Sequence, residues 1–310
     1  MTHRERITPQ EETSERSILN LRAYLKLIRP KQWVKNLFVF APLIFAKELF
    51  QFGPVVTSLK AFIAFCLTAS AVYIVNDILD VAADRAHPEK RFRPLAAKAV
   101  SFVEAYILLG ALLAGVGVVA YGMDSRFVVI LCAYLLMNLA YSWKLKEVVL
   151  LDVFIIAAGF MMRVLGGAYA IEVETSTWLV LCTLFISLFL GFAKRRSELV
   201  QIPHSTFTER KVLERYRVGF LDQMLTIAAA GTVISYALYT VAPRTQQVFG
   251  TDKLIYSTVF VIYGVFRYLY LIHTTTSTDK PADVVTSDVA ILGTVFLWVL
   301  TCVSLIYFRV

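Results

Sequence analysis

The apolar run VVTSLKAFIAFCLTASAVYIV at residues 55–75 passes directly into NDILDVAADRAHPEKRFRP at residues 76–94. The first part has the length and character of a membrane-crossing helix, for which about 20 apolar residues suffice. The second part reverses that chemistry at once. Asp77, Asp80 and Asp84 are spaced three and four apart, so on a helix they line one face. Clustered carboxylates repel one another unless a cation sits among them. Hard oxygen ligands in that number suit Mg2+ carrying a diphosphate. His87, Lys90, Arg91 and Arg93 follow, and they suit the phosphate oxygens themselves. The plainer alternative is a solvated helix end with surface ion pairs. Idle charge at a membrane edge is costly, which weighs against it.

Composition generalises the first half of that stretch. Of 310 residues, 58% are hydrophobic and the mean hydropathy is +0.65. Only 17% are charged, against roughly 25% in soluble domains. The chain reads as an all-α polytopic membrane protein. Nine apolar segments can be drawn, at 34–53, 55–75, 101–121, 126–143, 148–170, 178–193, 222–242, 254–272 and 288–308. The segment at 34–53 is the weakest, interrupted by Lys35, Asn36, Lys47 and Glu48, and the one at 178–193 is short. Residues 1–21 are polar and charged, with no apolar stretch of a signal peptide, and read as a disordered cytoplasmic tail. Residues 22–310 then form a single nine-helix transmembrane domain. Cys66, Cys132, Cys182 and Cys302 lie in apolar segments without paired spacing, which favours packing over disulfides or metal.

Charge distribution orients the spans. With the N-terminus inside, 23 of the 31 Lys and Arg residues fall in cytoplasmic regions, and the outer loop at 171–177 is acidic. That asymmetry places the N-terminus in the cytoplasm and, after nine spans, the C-terminus outside a plasma (inner) membrane. The charge-dense loops then face soluble phosphorylated metabolites. The net charge of +8 reflects membrane orientation and phosphates, not nucleic acid.

Further polar clusters interrupt the apolar pattern. Arg29-Pro30-Lys31-Gln32-Trp33-Val34-Lys35-Asn36 enters the first segment, and Asn36 inside a span is unusual, whereas interfacial snorkelling accounts for the lysines. Tyr141-Ser142-Trp143-Lys144-Leu145-Lys146 precedes Asp152; its lysines suit a phosphate or serve as membrane-edge anchors. Arg163 lies near the middle of the fifth segment and needs a carboxylate or an anionic ligand as its partner. Asp152 shares nearly its helical face but is about 16 Å away along the axis. Lys194-Arg195-Arg196-Ser197-Glu198 closes the sixth segment. These cations suit phosphate or anionic lipid heads. Glu198, four residues past Lys194, is either its helix partner or a metal ligand.

A Mg2+-diphosphate site at the bilayer edge suggests departure of diphosphate from a carbon that can bear positive charge. Here the Asn76-Asp77-x-x-Asp80-x-x-x-Asp84-Arg85 element, with nine spans, resembles the UbiA superfamily of intramembrane prenyltransferases. The likeness covers nearly the whole chain from about residue 22. Its continuation, Arg85-x-His87-Pro88-x-Lys90-Arg91-x-Arg93-Pro94, is similar to the branch that makes decaprenylphosphoryl-5-phosphoribose. So are Arg29 to Asn36, Tyr141-Ser-x-x-Leu-Lys146 with Asp152, Lys194-Arg195-x-x-Glu198, and Pro281-x-x-Val284 before Asp288. The resemblance implies transfer of phosphoribose from phosphoribosyl pyrophosphate to a polyprenyl phosphate, a step in cell-wall arabinan precursor synthesis. It implies Mg2+ on Asp77, Asp80 and Asp84 with Asn76 assisting. It implies substrate contacts from Lys31, Lys35, Asn36, Arg85, His87, Lys90, Arg91, Arg93, Tyr141, Lys146, Asp152, Arg163, Lys194, Arg195 and Glu198. Ordinary prenyltransferases of the superfamily carry a second Asp-x-x-x-Asp between spans six and seven; this chain has Lys194-Arg195-Arg196 and Glu198 there. Prenyl transfer to an aromatic or other small acceptor is the competing enzyme reading, and transport of an anionic lipid or metabolite the non-enzymatic one. Membrane lipids are expected neighbours, and a homo-oligomer is left open.

Overall fold

The computed structural model describes residues 21–201, 211–274 and 288–308. The tail expected at 1–21 (apart from Leu21) and the Pro281–Val284 element lie outside the described residues. Everything described is helix, turn or loop, as an all-α polytopic chain requires. The helices are α1 (21–28), α2 (Ala41–Phe45), α3 (Phe52–Leu79), α4 (Val81–Ala86), α5 (Phe102–Ala120), α6 (Ser125–Trp143) and α7 (Leu151–Ala170). They continue with α8 (Thr177–Gln201), α9 (Val218–Val241), α10 (Pro243–Phe249), α11 (Thr258–Thr274) and α12 (Val289–Val303). Among the described residues, 8 helices are long and apolar enough to cross a membrane.

The expected first span at 34–53 is not one of them. Residues Pro30–Phe40 form a 3-10 helix, α2 follows, and the chain then turns through Lys47 at φ 62. So long a 3-10 run is uncommon. Lys35 and Asn36 within it deny the segment a uniform apolar surface. The segment drawn at 178–193 differs in the other direction. Helix α8 runs on through Lys194, Arg195 and Arg196 to Gln201.

The aspartates do not share one unbroken helix face. Helix α3 ends at Leu79, and Asp80 is the junction residue before α4. The Asp80 N–H donates to Asn76 O at 2.9 Å and the Asp84 N–H to Asp80 O at 2.8 Å, so helical connectivity survives the junction. Asp77 and Asp84 are buried and Asp80 is half-buried. At 1.5 Å per residue α3 is about 42 Å long, more than a hydrocarbon core, so its last turn reaches the polar boundary.

The chain divides into two compact units. The first holds residues up to Leu37 and Phe62–Gly122. Its core joins Ala23 and Leu27 of α1 to Ala71 and Ile74 of α3, Leu95 and Val100 of the connecting loop, and Ala105 and Leu112 of α5. Ala23 and Leu27 are four apart on the inner face of α1, while Leu21 and Leu25 are exposed. Burying a leucine such as Leu27 contributes about 1.5–3 kcal/mol. Tyr24 donates to Glu104 Oε1 at 2.8 Å, and Glu104 completes a capping box with Ser101 at the start of α5. Val103, Ile107 and Val118 of α5 are exposed, as a lipid-facing helix requires.

The second unit holds Phe38–Ala61 and Met123–Val310. Helices α6 to α9 run alternately up and down. The C-terminal ends of α6 and α8 therefore share one end with the N-terminal ends of α7 and α9. Val153, Ala157, Phe189, Phe192, Leu221 and Leu225 are central to its core. A Cβ at Gly167 would run into the backbone carbonyl of Val39, so only glycine lets that segment pack on α7. Arg267 of α11 pairs with Asp288 at 2.9 Å, and Asp288 caps α12 by accepting the Ile291 N–H at 2.8 Å.

Candidate active site

Two charged clusters emerge, one in each unit. In the first unit, Asp77 sits in the last turn of α3 with 1% exposure. Its Oδ1 accepts from Arg29 and, at 3.3 Å, from Arg93 Nη1. Arg93 Nη1 also donates to Asp84 Oδ2 at 2.7 Å, so one guanidinium joins the two buried carboxylates. Arg29 stacks over the Tyr73 ring at 5.0 Å and holds φ 56 immediately before Pro30, which fixes how the 3-10 helix leaves α1. Sequence reading grouped Arg29 with the entry to the first span but did not count it as a site residue. Its pairing with an aspartate 48 positions away leaves no local signal.

Among the described residues no three His, Cys, Asp or Glu side chains gather closely enough to form a metal cage. Asp77, Asp80 and Asp84 are thus not a ready-made three-carboxylate nest. A Mg2+ site seldom needs one. It commonly uses one or two carboxylates and completes its shell with water and substrate phosphates. The residues present fit that requirement. Asn76 Oδ1 and Asp77 Oδ2 are buried acceptor oxygens on adjacent residues, and neither has a hydrogen-bond partner among the described residues. Buried acceptors rarely stay unsatisfied.

The other predicted residues of this unit are scattered around that pair. Asn36 is fully buried, donating to Cys66 Sγ at 3.2 Å, and so faces the packing of α3. Lys31 and Lys35 are exposed. Arg85 is exposed, with Nε donating to Ala96 O at 3.3 Å. His87 Nδ1 accepts the Glu89 and Lys90 N–H groups at 3.1 and 3.2 Å, so it shapes the loop. In the neutral ring the proton then sits on Nε2. Lys90 is half-buried, and Arg91 is exposed over the Phe92 ring at 4.8 Å.

In the second unit, Asp152 and Arg195 form an ion pair with 0% side-chain exposure on each partner. Arg195 Nε donates to Asp152 Oδ2 at 2.5 Å, Nη1 to Glu198 Oε2 at 2.6 Å and Nη2 to Tyr141 Oη at 3.4 Å. Tyr141, Asp152, Arg195 and Glu198, each expected to touch substrate, are therefore brought together, but around one another. Glu198 is a helix partner of Arg195 and, at 3.8 Å, of Lys194. Lys144 and Lys194 are exposed and Lys146 is half-buried. Arg196 turns to Asp222 of α9 at 2.5 Å. Inward pairing of Arg195 and Arg196 explains how α8 continues past the apolar segment.

Tyr216 completes the network and was not singled out from sequence. Its hydroxyl donates to Asp152 Oδ1 and accepts the Leu150 N–H, both at 2.7 Å. Burial and the Asp152 carboxylate push this phenol well above its ordinary pKa, so the proton stays on oxygen. Nothing in the polar segment around it marks the position.

Arg163, expected to require a carboxylate or a ligand, donates to Gly159 O at 2.8 Å and Tyr134 Oη at 2.7 Å. It also lies over the Tyr134 and Phe160 rings at 4.8 and 5.3 Å. Carbonyl, phenol and aromatic faces solvate it within the helices.

Comparison with known proteins places these features. The profile of the UbiA prenyltransferase family matches residues 37–286. Decaprenyl-phosphate phosphoribosyltransferase of Mycolicibacterium smegmatis is 37% identical over 69% of this chain and 69% of its own length. The protein of that name from Corynebacterium glutamicum is 33% identical over 91% of this chain and 86% of its own. The structure of a UbiA homolog from Archaeoglobus fulgidus bound to GPP and Mg2+ aligns with a TM-score of 0.67 at 17% identity, covering 91% of this chain and 98% of that one.

Proposed function

The chain belongs to the UbiA prenyltransferase family, and from that premise we propose that it transfers 5-phosphoribose from phosphoribosyl pyrophosphate to a polyprenyl phosphate, releasing diphosphate. The choice of donor and acceptor rests on one observation, the likeness along most of the chain to proteins named for that transfer. The site chemistry is consistent with it. Lys194 is exposed on the stretch where ordinary prenyltransferases of the superfamily carry a second carboxylate pair for a metal-bound diphosphate, while Arg195 and Arg196 are held by Asp152 and Asp222. A lipid that is already a phosphate calls for cations instead.

In this reading Asn76 and Asp77, with Asp80 and Asp84 beyond the break in α3, would supply the oxygens that meet Mg2+. When bound, the ion neutralises the diphosphate leaving group. Arg29, Lys90, Arg91 and Arg93 grip the donor's phosphate oxygens. Exposed Lys194 and half-buried Lys146 are assigned to the lipid phosphate, with Lys31 and Lys35 as further membrane-edge cations. A lipid phosphate oxygen bonds to the anomeric carbon as the carbon–oxygen bond to diphosphate breaks. The ring oxygen stabilises the oxocarbenium-like transition state. The attacking phosphate is already an anion, so no strong general base is needed. Orientation and charge neutralisation carry the rate. The same reading counts the segment at 34–53 as a ninth span and sets the N-terminus in the cytoplasm and the C-terminus outside.

The test uses purified protein in detergent with labelled phosphoribosyl pyrophosphate and a polyprenyl phosphate. Label is expected in the lipid extract with Mg2+ and not with EDTA. Folded protein that labels no lipid of any length, yet consumes a prenyl diphosphate, would replace this reading by prenyl transfer.

A further inference from the structure

The turn between α6 and α7 is strained. Leu150, the residue before α7, holds φ 67 and ψ −43, a conformation that a leucine rarely adopts. Such a residue persists only where its surroundings over-determine it. Here the surroundings are specific. The Leu150 N–H donates to Tyr216 Oη, and the same hydroxyl donates to Asp152 in the first turn of α7. Val149 and Leu150 pack against the core to which Val212, Leu213 and Tyr216 also belong. Val212 and Leu213 are each 1% exposed, so the 3-10 turn Lys211–Arg215 is anchored and delivers Tyr216 to a fixed place. Tyr216 also stacks on Phe220 at 6.3 Å, tying it to the start of α9.

From Asp152 the chain of bonds passes to Arg195 and on to Glu198 and Tyr141. The residues so joined flank Lys146, in the turn Leu145–Glu147, and Lys194, whose nitrogen lies 3.8 Å from Glu198. Lys194 is exposed and Lys146 half-buried, and each stands on backbone adjoining this network. None of the network's buried members needs to touch a ligand to matter.

We propose that Tyr216 is a positioning residue for the acceptor phosphate: its hydroxyl locks the turn before α7 to the C-terminal end of α8 and so sets Lys146 and Lys194 for one anionic headgroup. The inference rests on the reading above that these lysines receive the lipid phosphate. It adds that Tyr216, after the 3-10 turn Lys211–Arg215, governs acceptor binding without contacting the acceptor.

The experiment compares wild type with Tyr216→Phe in the lipid-transfer assay, varying donor and acceptor separately. Tyr216→Phe removes both hydrogen bonds and keeps the ring. The expected result is a KM for polyprenyl phosphate raised about tenfold, the equivalent of one lost hydrogen bond to a charged network. The KM for phosphoribosyl pyrophosphate stays within about twofold. Tyr216→His, which retains a donor and an acceptor nitrogen, recovers part of the acceptor affinity. A Tyr216→Phe protein with unchanged acceptor KM overturns the proposal, whatever its melting temperature. So does an equal rise in both KM values. If Tyr216→Phe fails to fold, Tyr216→His decides by the same ratio of KM values; if neither folds, the hydroxyl serves stability alone and the positioning role is rejected. A wild type that labels no lipid would instead remove the functional reading on which this stands.

Discussion

Replacing Asp152 by asparagine isolates the buried charge of the second unit, because the side-chain shape is kept. Asp152 accepts from Arg195 at 2.5 Å and from Tyr216 at 2.7 Å, with no solvent exposure on either member of the ion pair. Removing one partner of a buried pair typically costs about 3–5 kcal/mol, because the other charge is left uncompensated. Arg195 retains Glu198 at 2.6 Å, so the lower end applies, about 3 kcal/mol. Chemical unfolding in mixed micelles, followed by tryptophan fluorescence, reads the loss as a shifted midpoint at unchanged slope. A second variant separates charge from packing. Asp152→Leu combined with Arg195→Met removes both charges, and buried pairs exchanged for apolar residues of similar volume are often neutral or stabilising. The double variant should therefore recover most of the stability lost by Asp152→Asn. An Asp152→Asn protein destabilised by less than about 0.5 kcal/mol, the range of an ordinary surface change, would refute the claim that this pair organises the cluster.

Three other outcomes follow from the geometry. Asp80→Ala, at the half-buried junction of α3 and α4, should abolish lipid labelling while leaving the melting temperature within a few degrees; an active variant removes Asp80 from the metal site. Gly167→Ala sets a Cβ against the Val39 carbonyl, which as backbone cannot swing aside, and should lose about 1–3 kcal/mol in the same unfolding assay. Arg267 and the Ile291 N–H hold the Asp288 carboxyl below its usual range. A depressed folded pKa stabilises above the unfolded value and is lost as pH falls through the folded one. Acid melts of wild type should therefore fall away below about pH 4, and those of Asp288→Asn should be flatter there.

The hydropathy pattern anticipated most of the fold because lipid-facing helices must be apolar along their whole length. The segment drawn at 126–143 became Ser125–Trp143, and that at 148–170 became Leu151–Ala170. Pattern reading failed where polar groups are satisfied from a distance. Hydropathy ended the sixth segment at 193, yet α8 continues because Arg195 and Arg196 find Asp152 and Asp222. The first segment is built of a 3-10 helix and a short α-helix, which hydropathy alone does not foretell. At the site, local spacing revealed the aspartates and the basic loop. It could not reveal that Arg29 pairs with Asp77, or that Tyr216 reaches back to Leu150 and Asp152. Nor could it reveal that Arg163 donates to the Gly159 carbonyl and lies over the Tyr134 and Phe160 rings.

The central claim is tested most directly by the fate of individual phosphorus atoms in the donor. Phosphoribosyl pyrophosphate carrying 32P either in its 5-phosphate or in its diphosphate is incubated with Mg2+, polyprenyl phosphate and the protein, and the lipid and aqueous phases are counted. The account predicts that the 5-phosphate label enters the lipid and the diphosphate label leaves as free diphosphate, in equal amounts and at one rate. Both labels entering the lipid, or neither leaving the intact donor while a prenyl diphosphate is consumed, would contradict it.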